Sequence, residues 1–377
     1  MGAYFDNNAT TPIEPRVAVA MTLGIDHGNP SSAHKWGRKS REAIETARGQ
    51  VAGLLGVQPP EIIFTGSGTE ANNQVIYAAG RQGGFKGHLL TTTLEHPSIH
   101  AAAARMREMG MEVTEVPPDD DGVVQPEAIA ESVRPDTRLA CIMLANNELG
   151  TLQPVVKAAE ICHEHGVPVL CDAVQAVGKI PVHPAELGID FLTLGAHKFH
   201  GPLGAAALWV KSGLEVAPLF AGGGQEGGRR PGTENVHAIV GLGKACEIAA
   251  EELTERRNHL IEMRVTFERG LAGIDDAVIH ATGALRLPNT THVAFLGLSG
   301  RDLMMRLDEA GYAVSTGAAC GASGEPLPSR TLLAMGISKE EALASLRVSF
   351  GMTNTVDEVK TFVETLTAQV FMLRAGA

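Results

Sequence analysis

The sequence predicts an α/β fold around a mostly parallel central sheet, and three features of its 377 residues carry that prediction. Short apolar runs recur through its first 210 residues without the polar alternation of a half-exposed strand, as in strands buried on both faces. Stretches of helical period separate them, which is what parallel crossovers require. The chain is also longer than one compact core ordinarily holds, so a second, smaller lobe is expected.

The elements follow in order. Lys35 to Leu55 sets Trp36, Ala43, Ile44, Ala47, Val51, Leu54 and Leu55 on one helical face, with Gly56 as the C-cap. The expected strands are EIIFTG (61–66), HLLTTT (88–93), LACIML (139–144), VPVLCDAV (167–174), DFLTLG (190–195) and AAALWV (205–210). The pattern breaks at FAGGGQEGGRRPGTEN (220–235), a Gly-rich segment that reads as a hinge. A long helix from about Val236 to Leu271 follows it. Apolar runs at THVAFLGL (291–298) and ASLRVSFG (344–351) then point to a smaller α+β lobe.

Composition removes several classes of function. With 31 Lys+Arg against 43 Asp+Glu the formal charge is −12, which offers no general attraction to nucleic acid or anionic membranes. No apolar run has the length of a membrane span, and MGAYFDNNATT has neither the basic start nor the apolar stretch of a secretory signal, so a cytoplasmic protein is expected. The five cysteines are scattered and free of CxxC pairs, which suggests no disulfide framework and no metal site. Cys141, Cys162, Cys171 and Cys246 lie in apolar or helical settings and read as buried thiols.

Chemistry gathers where strands end. Lys198 lies just past DFLTLG in a Gly/His/Pro loop, where open α/β sheets bind ligands. Asp172 ends a second strand, with Gln175 about one turn beyond. Taken singly, Lys198 is a solvated lysine and Asp172 a helix cap. Together they match what pyridoxal phosphate requires, an amine to form its Schiff base and a carboxylate to keep its ring nitrogen protonated. FTGSGTEANNQ adds a strand, a Gly/Ser turn and a helix opening near Thr69, which is an anion site. Asn146, Asn147 and Glu148 follow another apolar run, and His96 stands at a strand end before a proline.

The segments YFDNNATTP (4–12), GNPSSAH (28–34), FTGSGTEANN (64–73), EHPSIH (95–100), ANNELGT (145–151), CDAVQAVGK (171–179), AHKFHGPLG (196–204), GGGQEGGRRPGTEN (222–235) and STGAAC (315–320) resemble those of the cysteine desulfurases, in that family's order. The long segment after Cys320 is similar to the NifS/IscS-like class. The resemblance implies a fold-type I pyridoxal phosphate enzyme that works as a homodimer. Its large domain would span 13–255, and 1–12 with 256–377 would form the small domain carrying the catalytic cysteine. It further implies that Lys198 is the Schiff-base lysine, that Asp172 pairs with the pyridine nitrogen and that His96 stacks on the ring and shuttles protons. Gln175 would bond the ring hydroxyl, with Asn147 near that hydroxyl and the substrate. Gly68, Thr69 and His197 would hold the phosphate, and Thr233 would reach the partner subunit's phosphate. Arg347 would bind the carboxylate of the substrate, L-cysteine. Cys320 would take the sulfur as a persulfide and pass it to an acceptor such as an iron–sulfur scaffold protein.

Three positions depart from the family pattern: Gly195 where serine is common, Leu170 where histidine is common, and CGASGEPLPSR, with an extra proline and Arg330 in an aromatic or histidine place. Selenocysteine lyases share nearly all these motifs and remain an alternative, as do an aminotransferase and a non-catalytic scaffold. The small residues around Cys320 suit a thiol that must reach both a pocket and an outside acceptor.

Overall fold

The computed structural model describes residues 2–22, 28–317 and 327–376. Ten strands among these residues form two sheets: β1 (Ile62–Thr65), β2 (His88–Thr92), β3 (Glu112–Val116), β4 (Thr137–Cys141), β5 (Val169–Asp172), β6 (Phe191–Gly195), β7 (Ala206–Val210), β8 (Ala277–Ile279), β9 (Thr290–Phe295) and β10 (Ser345–Ser349). The larger sheet has the order β1-β7-β6-β5-β4-β2-β3. All its pairs are parallel except the two made by β7. The fold is thus α/β with a mostly parallel sheet, as expected.

Four details differ from the sequence reading. The sixth apolar run, β7, is antiparallel to its neighbours, because residues 196–205 are too short for the crossover of about a dozen residues that a parallel return needs. Lys198 sits inside that tight connection. Strand β3 (EVTEV) is a half-exposed edge strand whose glutamates interrupt the apolar run, so a search for continuous apolar runs passes over it. The run 139–144 is only partly strand: β4 ends at Cys141, although Ile142 N and Leu144 N still donate to Leu170 O (2.9 Å) and Asp172 O (2.9 Å). That continuation carries Asn147 to the side of Asp172. Lastly, Trp36 is 55% exposed and does not share the buried face of its helix, which Ile44, Ala47, Val51, Leu54 and Leu55 form. Gly56 does cap that helix, at φ 68°.

The smaller sheet has the order β10-β9-β8, and all its pairs are antiparallel. Phe5, from the N-terminal arm, is buried in its core against the rings of Tyr312, Phe350 and Phe362. The long helix Val236–Leu271 joins the two cores: Val236 to Ala249 pack with the larger sheet, Leu260 to Leu271 with the smaller. The change between cores therefore falls within the helix and not in the Gly-rich segment before it. Among the described residues no helix is long and apolar enough to cross a membrane.

Candidate active site

The carboxyl ends of β1, β2, β5 and β6, with the segment after β4, surround one cavity. Gly68, Thr69, His96, Asn147, Asp172, Gln175, His197 and Lys198 all line it, together with Ser67, Asn72, Ser98 and Val174. Parallel strands make this convergence unavoidable, because every chain leaves such a sheet at the same edge.

Asp172 is held from two sides. Its Oδ2 accepts from Asn72 Nδ2 at 2.8 Å, and its Oδ1 accepts from Val174 N at 3.0 Å. The same Asn72 amide donates to Ser98 Oγ (3.0 Å), and its Oδ1 accepts from Thr193 Oγ1 (2.9 Å). Ser98 Oγ lies 2.9 Å from His96 Nδ1, which also accepts from Ser98 N at 3.1 Å. With Nδ1 occupied as an acceptor, a neutral His96 carries its proton on Nε2. Burial lowers the His96 pKa, with the Lys198 charge adding to that effect and Asp172 opposing it, so the neutral ring is favoured.

Lys198 Nζ donates to the carbonyls of Asn8 (2.7 Å) and Ala9 (2.8 Å), which brings the N-terminal arm to the cavity's edge. Burial, then the charge of Arg347, brings its pKa down to about 8 against the pull of Asp172 and Asp6. His197, beside it, is pushed down to about 4 by burial and by the charges of Lys198 and Lys179. The helix Gly68–Gln82 opens at the rim with Ser67 as its N-cap, its side chain accepting from Glu70 N. The first turn of a helix leaves its N–H groups without intrahelical partners, so Gly68 and Thr69 present donors to an anion.

Arg347 stands on β10 behind Asn147 and not on the cavity wall. Its Nη1 donates to Asn147 O (3.0 Å) and its Nη2 pairs with Asp6 Oδ1 (2.6 Å), while its buried Nε has no partner among the described residues. Thr233 is exposed and is not among the residues that line the cavity. Cys320 lies outside the described residues. The chain just after 318–326 is tied down: Glu148 accepts from Ser329 Oγ (2.5 Å) and Thr331 Oγ1 (3.1 Å), and Arg330 pairs with Glu115 of β3. Cys141, Cys162, Cys171 and Cys246 are buried and unpaired, and burial pushes the Cys162 thiol up to about 12.

Sequence reasoning passed over Asn72, Ser98, Asn8 and Lys179. Asn72 had a signal, since a polar amide one turn into a helix that packs on the sheet needs buried partners. Lys179 had none, because a lysine after a Gly turn reads as solvated.

The donor set fits pyridoxal phosphate. A carboxylate held by two donors faces the cavity for a ring nitrogen, an amine whose pKa is lowered to about 8 faces it from the end of the neighbouring parallel strand, and a helix N-terminus offers anion-binding N–H groups. A cradle is also present: a Cβ at Gly68 would stand 2.9 Å from Val174 Cγ2, so only glycine keeps the helix start this close. At Gly195, where a serine is absent, a Cβ would meet nothing nearer than 3.7 Å, which leaves room at that corner.

The family model of the class-V aminotransferases matches residues 3–362. A curated cysteine desulfurase IscS from Dictyoglomus turgidum is 39% identical over 375 residues, covering 98% of this chain and 95% of that protein. One from Methanosarcina thermophila is 40% identical over 374 residues, covering 98% and 92%. A solved NifS-like protein superposes with a TM-score of 0.93 at 37% identity, covering 99% of this chain and all of the other. Matched in sequence and fold along nearly its whole length, the chain belongs to the NifS/IscS-like cysteine desulfurases of the aminotransferase class-V family.

Proposed function

We propose that the chain is a pyridoxal phosphate-dependent cysteine desulfurase that converts L-cysteine to L-alanine and takes the sulfur onto Cys320. The observation that supports this most is the single cavity faced by Lys198, Asp172, His96 and the helix start at Gly68–Thr69. Pyridoxal phosphate, when bound, supplies a protonated ring that takes up the electrons left at a substrate Cα.

The chain's residues divide the remaining work. Asp172, fixed by Asn72, keeps the ring nitrogen protonated. Gly68, Thr69 and His197 hold the phosphate, and His96 packs on the ring. Lys198, whose pKa is lowered by burial and by the Arg347 charge, is the base that accepts the Cα proton. Asn147 orients the substrate, Arg347 takes the substrate carboxylate in exchange for its Asp6 partner, Gln175 meets the ring hydroxyl, and His96 returns protons from Nε2. The Cys320 thiolate attacks the substrate sulfur, so that an S–S bond forms while the C–S bond breaks and its electron pair stays with carbon. Cysteine plus thiol gives alanine plus persulfide, which balances without an outside oxidant.

The same reading makes the protein a cytoplasmic homodimer, with Thr233 reaching the partner subunit's phosphate and a large domain of 13–255 set against 1–12 with 256–377. The persulfide passes to an acceptor protein such as an iron–sulfur scaffold. The test gives the holoenzyme L-cysteine without reductant, measures alanine, and locates the added sulfur by mass spectrometry, with Cys320→Ala as control. One added sulfur on Cys320 is expected. Sulfur on another cysteine, or sulfide release undiminished in the variant, would defeat the role of Cys320. Strong turnover of selenocysteine with almost none of cysteine would defeat the substrate.

A further inference from the structure

Lys179 is a buried cation whose presence the fold alone does not explain. It is 4% exposed, and among the described residues no carboxylate pairs with it. Its Nζ donates to Gln175 Oε1 at 3.0 Å and to Asn8 Oδ1 at 3.3 Å. Burial, then the like charges of Lys198 and Arg347, drive its pKa well below that of an ordinary lysine. An apolar side chain of similar volume would remove the desolvation and both repulsions, so stability is a poor reason for a lysine here.

The partners of Gln175 supply a better reason. Gln175 Nε2 donates to Asn8 O at 3.0 Å, and because a carbonyl can only accept, this contact fixes which end of the amide is nitrogen. Its Oε1 must then face Lys179. One Nε2 hydrogen is left over, on a residue that lines the cavity. Asn8 is held just as firmly: its Nδ2 donates to Thr290 Oγ1 (2.9 Å), and its Oδ1 accepts from Asn289 Nδ2 (3.0 Å), which leaves that oxygen turned toward Lys179. The preceding Gly178 has φ 77°, and a Cβ there would stand 2.6 Å from Phe199 Cβ. The turn carrying Lys179 is therefore packed directly against the residue after Lys198.

We propose that Lys179 is a positioning residue for the reaction: it clamps the Gln175 carboxamide so that the second Nε2 hydrogen points into the cavity and donates to the ring hydroxyl oxygen of bound pyridoxal phosphate. The inference rests on the cofactor reading above. A donor on that oxygen weakens its attraction for the proton on the neighbouring lysine-linked nitrogen. Losing the clamp therefore raises the pH at which the visible absorption band of the holoenzyme changes. The charged groups that also act on Lys198 are Arg347 from β10, Asp172 from β5 and Asp6 from the N-terminal arm, and none of them is altered in the test.

The test titrates the visible band of the holoenzyme in the parent, Lys179→Met, Gln175→Ala and the double variant. Lys179→Met is expected to raise the midpoint by about 0.5–1 pH unit, the scale of one hydrogen bond. In the Gln175→Ala background the same substitution is expected to move it little. Lys179→Gln, which falls short of Gln175 Oε1 but stays polar, has the same expectation and serves where the methionine variant does not fold. An unmoved midpoint in Lys179→Met overturns the proposal. So does a shift of equal size without Gln175, since the lysine would then act by its charge alone. A parent protein with no visible band would fail the cofactor reading itself, an outcome separate from a band that does not move.

Discussion

Replacing Asn72 by alanine tests whether the carboxylate at the centre of the site is built by its neighbours or merely tolerated. Asn72 is 1% exposed and makes three side-chain hydrogen bonds: to Asp172 Oδ2 at 2.8 Å, to Ser98 Oγ at 3.0 Å and from Thr193 Oγ1 at 2.9 Å. A bond to a charged group is worth about 1.5–3 kcal/mol and a neutral one about 1 kcal/mol, and the partners left behind are themselves buried. The contributions overlap, so a loss of about 3 kcal/mol in the cofactor-free protein is expected from urea unfolding followed by circular dichroism. Asn72→Asp should cost more at pH 7 and recover in acid, because it sets two carboxylates within about 3 Å of one another. The penalty of Asn72→Ala should shrink in the holoenzyme, where the ring nitrogen gives Asp172 another donor. A loss below about 0.5 kcal/mol in the cofactor-free protein would refute the reasoning, since surface-like tolerance is incompatible with a buried carboxylate stripped of a partner.

Glu95 is buried with its carboxyl pKa raised to about 8 from 4.5, chiefly by desolvation. The folded state holds this proton more tightly than the unfolded one, so its contribution is fully present below the unfolded pKa and falls by about 1.4 kcal/mol per pH unit as pH rises from there toward 8. Glu95→Gln should remove that slope in denaturant titrations between pH 5 and 8, and an unchanged slope would contradict it. Gly68→Ala should weaken pyridoxal phosphate binding about tenfold or more by equilibrium dialysis, through its 2.9 Å approach to Val174, and adding Val174→Ala should restore much of it. Failure of the second change to help would place the defect elsewhere. Phe5→Ala should cost about 3–5 kcal/mol by emptying the aromatic cluster with Tyr312, Phe350 and Phe362. A melting temperature equal to that of the parent would show that the arm is not part of that core.

Much of the fold could be read because burial on both sides of a parallel sheet leaves continuous apolar runs, as in β5 and β6. The edge strand β3 escaped for the same reason, since half its side chains meet solvent. The direction of β7 followed from chain length rather than composition: the ten residues 196–205 after β6 are too few to cross a sheet. Trp36 was misplaced because helical period reports a face and not which end of that face runs out past the core.

The sequence by itself determined the chemistry at the strand ends, with Lys198, Asp172, His96 and the Gly68–Thr69 turn each marked by a strand that stops and a loop of small residues. Only the tertiary structure decided how those groups are held. Asn72, Ser98 and Thr193 join one network, and Asn8, Gln175 and Lys179 join another, across sequence separations that no local pattern records. The physical reason is that a buried polar side chain must find its partners in space, and those partners are set by how strands and arm converge, not by what stands next in the chain.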